Sequence, residues 1–300
     1  MKQVITLWRF SRPHTIIGSV ISILTLYFIV CEHQKSECLS YLTLALTIGI
    51  TCNIFIVGIN QIADVNIDKI NKPHLPIPSC ALTVREASII VFVALLISLA
   101  LALLISPYLF GIISLAAIIG WAYSMPPFHL KRHHVTAALA ITLVRGLILN
   151  VGGFLVFNYL VNQTLDMPEN VKILTVFIIA FSIVISWFKD LPDIEGDSKY
   201  QIKTLAILYS PKMALIMGNL LVGLAYSFTI YLKWIEYVSM KMPSVQNKIL
   251  LYGHILLFVL FITNAFTIRL NENNSIKKFY MRFWWFFFAE YVVYLLAYTV

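Results

Sequence analysis

Hydrophobic positions in this chain neither alternate nor form a single stripe; they come in long runs. Nine stretches approach the roughly 20 residues that carry a helix across a bilayer core. They occupy 14–32, 40–62, 87–106, 108–125, 135–158, 171–190, 212–232, 249–268 and 281–299. The third and fourth are separated only by Ser106 and Pro107. One unbroken helix there would overshoot the membrane, so a tight hairpin is expected. Several runs are apolar all round, which leaves their inward faces undefined. The pattern predicts an all-α, polytopic membrane bundle of nine transmembrane helices forming one domain over 1–300.

Composition narrows the class further. Of the 300 residues, 60% are hydrophobic and 12% charged, against about 25% charged in soluble domains. A soluble enzyme, a disordered chain and a disulfide-rich secreted domain are thereby excluded. The net charge is +8. It points to cytoplasmic loops rather than to a nucleic-acid partner, because Lys and Arg accumulate on that side. With the N-terminus cytoplasmic, sixteen Lys and Arg residues fall on the inner side and five on the outer. Lys233, Lys241 and Lys248 oppose this bias. Lys2, Arg9 and Arg12 precede the first run, but no small-residue cleavage site follows it, so it reads as a span. Neither does an organellar leader precede it. Cys31, Cys38, Cys52 and Cys80 lack zinc-ligand spacing and read as isolated thiols. Cys31 and Cys38 share the outer side, where they could meet.

Two acidic clusters stand out at one predicted membrane face. Asn60, Asp64 and Asp68 recur every four residues and therefore share a helix face. Asp190, Asp193 and Asp197, with Glu195 among them, follow the sixth run at spacings of three and four. Pro192 and Gly196 are expected to distort or end the helix there. Carboxylates at the hydrocarbon edge are costly unless hydrated, paired or bound to metal. Two clusters facing one cavity suit Mg²⁺, which links one or two carboxylates to a substrate phosphate.

Basic residues accompany the acids. Lys72, Lys131, Arg132, Lys189 and Lys203 offer charge-assisted hydrogen bonds to phosphate oxygens. Arg145 lies inside the fifth run; it is either a functional cation or the ion-pair partner of a buried acid such as Glu290. Asn53 and Asn150 are further intramembrane polar groups that either line a site or link helices. A metal-held diphosphate at the water boundary with its tail in the bilayer is an isoprenoid diphosphate. Ionisation of its C1–O bond leaves an allylic cation, which the Tyr123 ring could stabilise. A transporter is the alternative from another class, with Arg145, Glu290 and the asparagines along an ion path. Against it, the acids gather at one face rather than at the midplane. A purely structural subunit has no use for two facing carboxylate clusters.

These residues resemble the UbiA superfamily of intramembrane prenyltransferases over essentially the whole chain. Asn60, Asp64 and Asp68 match its N-x-x-x-D-x-x-x-D motif. The Lys189–Asp190–Asp193–Asp197 segment matches its second acidic motif, and Tyr123 through Lys131-Arg132 matches a Y-x-x-P-P-x-x-x-K-R segment. A narrower match is to the homogentisate prenyltransferase branch of tocopherol and prenylquinone biosynthesis. It rests on 10–18, 53–61, 71–73, Val144-Arg145-Gly146 with Asn150, and 288–291. His74 and 76–80 depart from that branch. The resemblance implies nine helices around a central cavity capped by both acidic motifs at the cytoplasmic face. It implies Mg²⁺ held by Asp64, Asp68, Asp190 and Asp193, the catalytic acids, with Asn60 orienting them. Lys131 and Arg132, and by extension Lys72 and Arg145, would hold diphosphate. The implied reaction is prenyl transfer to an aromatic acceptor, homogentisate with decarboxylation. Other acceptors in the family are chlorophyllide, 4-hydroxybenzoate or another quinone precursor, and haem. The implied location is the bacterial inner membrane, with the site facing the cytoplasm.

Overall fold

Each apolar run becomes a helix, and four of the long helices start at a capping Ser or Thr side chain. The computed structural model describes residues 2–32 and 39–300. A short helix, α1 (Lys2–Phe10), leads into α2 (Pro13–Val30), α3 (Leu39–Ala63) and the short α4 (Val65–Asn71). The hairpin α5 (Val84–Ile105) and α6 (Pro107–Ser124) follows. Thr83 and Glu86 form a capping box that starts α5. Ser106 accepts from the Tyr108 N–H and Pro107 opens α6, so the expected hairpin turns there. Next comes α7 (His134–Thr142), continuous through a π-helical stretch (Leu143–Gly152) with α8 (Gly153–Asn162). Then follow α9 (Glu169–Phe188), short α10 (Ile194–Lys199) and α11 (Leu205–Leu208), and long α12 (Pro211–Ser239), α13 (Val245–Ala265) and α14 (Asn273–Thr299).

Among the described residues, eight helices are long and apolar enough to cross a membrane. The ninth expected span corresponds to α14. Its 27 residues exceed the needed length, but Arg282, Glu290 and its tryptophans and tyrosines lower its apolarity. Several of those side chains turn inward, with Trp284, Glu290, Tyr291 and Tyr294 buried, whereas Arg282 and Trp285 are exposed. Cys31 and Cys52 are buried and Cys80 is exposed; Cys38 lies outside the described residues.

Lipid tails are as apolar as leucine, so packing quality and interhelical hydrogen bonds hold the bundle together. Helix α5 meets α3 along a seam of Ala87, Val91, Ala94, Ser98 and Ala102, small enough for close approach. Its opposite face shows Phe92, Leu96 and Leu104 to lipid. The other half is keyed by aromatic rings on α9, α12, α13 and α14. Phe181 stacks on Phe283 at 4.3 Å, and Phe177 meets Tyr226 edge-on at 4.8 Å. Such pairs contribute about 0.5–1.5 kcal/mol each beyond burial. Between the halves, α2, α3, the π-helical stretch and α14 leave a cavity of about 860 Å³.

Candidate active site

The backbone brings both acidic segments to one end of this cavity. Helix α3 stops at Ala63 and restarts at Val65, so the first motif is a broken helix rather than the expected continuous one. Its periodicity survives the break. Asp64 N–H donates to the Asn60 carbonyl (3.0 Å) and Asp68 N–H to the Asp64 carbonyl (2.7 Å). Asn60, Asp64 and Asp68 therefore still line one wall. The second motif turns at 189–193, as Pro192 predicted, and resumes as α10 with Asp193 at its start. Gly196 does not end that helix; it lies inside it. Asp190, Asp193 and Asp197 line the cavity, and Glu195 is exposed.

Asn71 joins the two segments. Its Oδ1 accepts from the Gly196 N–H at 2.9 Å, and its Nδ2 donates to Asp197 Oδ1 at 3.3 Å. A third strip is fixed alongside: Lys203 N–H donates to the Arg132 carbonyl (2.8 Å) and His134 N–H to the Lys203 carbonyl (3.0 Å). This places Lys131 over the first motif.

Lysines interleave with the acids. Lys131 Nζ lies 2.5 Å from Asp64 Oδ1, and Lys189 Nζ 2.5 Å from Asp190 Oδ1. Lys72 bonds Asp193 Oδ2 and sits 3.9 Å from Asp68 Oδ1. Arg12 approaches Asp68 Oδ2 at 4.0 Å. Asn60 Nδ2 donates to Asp64 Oδ2 at 3.0 Å, fixing the carboxylate plane. Burial pushes the Asp68, Asp190 and Asp197 carboxyls above their ordinary range. Asp197 rises to about 7, with nearby Asp190 adding to the effect. Burial also lowers the Lys131 ammonium. Lys189 is raised well above its usual value because Asp190 and neighbouring groups outweigh its burial.

Two carboxylate oxygens of this site, Asp68 Oδ2 and Asp193 Oδ1, are buried without a hydrogen-bond partner among the described residues. Such orphans are expensive unless something with positive charge reaches them. Among the described residues no three His, Cys, Asp or Glu side chains form a ready metal cage. Mg²⁺ does not require one, because it keeps waters and takes one or two carboxylates plus phosphate oxygens. The all-oxygen donors and the two orphans fit such an ion.

Tyr123 lines the cavity, with Lys189 Nζ 6.0 Å from its ring centre. Asn53 also lines it and bonds Thr15 and Ser19 of α2. Other expectations shift. The Arg132 side chain is exposed and does not line the cavity. Asn150 is buried outside the lining, where it accepts from Tyr291 Oη (2.9 Å) and bonds Thr175, linking helices. Arg145 does not pair with Glu290. Glu290 is fully buried against His254, 2.9 Å from its Nε2, and neither residue lines the cavity. The suggested ion path thereby loses its acid. Asn71 and Arg12 are the residues that the sequence reading gave no site role. The signals for them are their places in the matched segments 10–18 and 71–73, and the position of Asn71 three residues beyond Asp68.

The UbiA prenyltransferase family model matches residues 19–287. The chain belongs to the UbiA prenyltransferase family. It is 35% identical to the homogentisate phytyltransferase of Synechocystis over 99% of this chain and 96% of that one. It is 33% identical to a chloroplastic homogentisate solanesyltransferase of Arabidopsis thaliana, over 96% of this chain and 75% of that one. In fold it matches a UbiA homologue from Archaeoglobus fulgidus, solved with GPP and Mg²⁺. That match has a TM-score of 0.66 at 19% identity and covers 96% and 99% of the two chains. As a member of this family the chain is an integral, multi-pass membrane enzyme.

Proposed function

We propose that this UbiA-family chain transfers a prenyl group from an isoprenoid diphosphate to homogentisate, with loss of CO₂, as in tocopherol and prenylquinone synthesis. The observation that carries this reading is the shape of the cavity. Acids and lysines close one end, and apolar side chains from Leu26, Phe154 and Phe157 line the rest. A charged head and a long apolar tail need that division. The names of the relatives supply the acceptor.

Asp64, Asp68, Asp190 and Asp193 would hold Mg²⁺, which supplies charge neutralisation for the diphosphate leaving group. Five carboxylates here face Lys72, Lys131, Lys189 and Arg12. Each of these lysines is already engaged by a carboxylate, so a multiply charged diphosphate would meet cations whose charge is partly spent, and a divalent cation would offset the acids beside it. Lys131, Lys72 and Lys189 present ammonium groups to diphosphate oxygens. Asn60 keeps Asp64 in position. The C1–O bond breaks with its electron pair leaving on diphosphate. The Tyr123 ring, which lines the cavity near Lys189, would stabilise the resulting allylic cation. A ring carbon of the acceptor bonds C1 and loses its proton, and the carboxymethyl group loses CO₂ and gains a proton.

The whole of 1–300 acts as one domain of nine spans in a bacterial inner membrane, N-terminus and site towards the cytoplasm. Lys233 no longer opposes this orientation strongly. It is 2% exposed and pairs with Glu236 at 2.8 Å, so it adds little free loop charge.

The test is purified protein in nanodiscs with Mg²⁺, homogentisate and geranyl, farnesyl, geranylgeranyl, phytyl and solanesyl diphosphates, read by mass spectrometry. A decarboxylated adduct is expected, with the preferred donor setting the chain length. Adducts to other phenols but none to homogentisate would remove the acceptor and keep the prenyl transfer.

A further inference from the structure

Arg145 is a cation that the diphosphate site does not use. It makes no ion pair and no hydrogen bond with any described residue, although it lines the cavity. A guanidinium inside a membrane protein is costly and is normally paired. Here its neighbours are aromatic. Its central carbon lies 4.7 Å from the Trp284 ring centre and 5.2 Å from that of Phe287. Trp284 in turn meets the His14 ring edge-on at 5.0 Å. Tyr280 and Tyr291 complete this part of the lining.

Depth separates it from the acids. Lys131 and the start of α7 mark the charged end. Arg145 lies eleven residues beyond His134, about 16 Å along a helix at 1.5 Å per residue. It falls in the π-helical stretch Leu143–Gly152; such departures from α-geometry recur at functional sites. The charged end has Lys72, Lys131 and Lys189, each matched to a carboxylate. Arg145 has none. Its central carbon lies over two aromatic rings, which accept no conventional hydrogen bonds in its plane, so its N–H donors remain for a planar, bidentate carboxylate.

We infer that Arg145 anchors the carboxylate of the aromatic acceptor, and is a specificity residue for acidic acceptors rather than a diphosphate ligand. This rests on the prenyl-transfer reading above. The acceptor ring would sit against Trp284 and Phe287, between Arg145 and the charged end where C1 of the donor lies.

The experiment compares wild type, Arg145→Gln and Arg145→Lys in nanodiscs with two acceptors, homogentisate and methylhydroquinone. The second is the same ring without the carboxylate. Arg145→Gln is expected to raise the homogentisate KM about a hundredfold, leaving the diphosphate KM and turnover of methylhydroquinone unchanged. Arg145→Lys is expected to recover part of the loss. Equilibrium dialysis of labelled homogentisate reads binding without turnover and separates this inference from the reading it rests on. Saturable binding that Arg145→Gln weakens supports the anchor even if wild type prenylates another phenol. Three results would overturn it: unchanged homogentisate binding in Arg145→Gln, a rise in the diphosphate KM alone, or an equal fall with both acceptors.

Discussion

Asp64→Asn and Asp193→Asn are each expected to cut prenyl transfer about a hundredfold or more, the scale for removing a preorganised electrostatic group. Both proteins should still insert in the membrane. The two substitutions act on opposite motifs, so equal losses would show that both segments serve one site. Asp64 holds Lys131 at 2.5 Å and receives Asn60 Nδ2 at 3.0 Å. An amide keeps the shape and one acceptor but leaves the Lys131 ammonium, 8% exposed, without its counter-charge. Breaking a buried pair from one side costs about 3 kcal/mol, so part of the loss could arise from instability. The double variant Asp64→Asn/Lys131→Met separates the causes. It removes the stranded charge, so thermal stability in detergent should return towards wild type while activity stays lost. Recovery of activity in the double variant would mean that the pair is structural.

Gly196→Ala should be nearly as damaging, although it adds a single methyl group. A Cβ at 196 would overlap the Asn71 side chain, with Cγ and Nδ2 both 2.6 Å away. Asn71 cannot move aside without breaking its bonds to Gly196 N–H and Asp197 Oδ1. Overpacking of this kind costs about 1–3 kcal/mol, and each lost hydrogen bond about 1 kcal/mol more. The two acidic segments then lose the clamp that sets their separation, and a loss of about tenfold to a hundredfold in kcat/KM is expected. A double-mutant cycle with Asn71→Ala checks the mechanism. Once the amide is gone the added methyl has nothing to strike, so the double variant should be no worse than Asn71→Ala alone. Additive losses would place the damage elsewhere in α10.

The sequence disclosed those parts of the fold that depend on runs and short-range spacing. Apolar length located the helices, and Ser106-Pro107 located the hairpin because capping and the missing proline N–H act locally. Helix α14 was legible from its aromatic run although Arg282 and Glu290 dilute its apolarity. The spacing of four survived the break at Asp64 because the hydrogen bonds continue across it. What could not be read were choices of partner. Any of several acids could have neutralised Arg145, and only packing shows that Glu290 takes His254 instead. Asn150 and Asn53 look alike in sequence, yet one lies between helices and the other faces the cavity. Arg132 adjoins Lys131, but the short helical turn at Leu130–Arg132 sends neighbouring side chains in different directions. Asn71 stands in a matched segment, but its role is hidden in the sequence because it depends on a glycine 125 residues away.

The proposed site requires the two acidic motifs to hold a diphosphate jointly through a divalent cation. Binding of a radiolabelled prenyl diphosphate to purified protein without acceptor tests this most directly, with Mg²⁺ and after removal of metal by chelator. Saturable binding that the chelator abolishes, added Mg²⁺ restores, and Asp64→Asn or Asp193→Asn removes is the predicted result. Equally tight binding in chelator, unaffected by either substitution, would contradict it and leave the lysines alone as the diphosphate site.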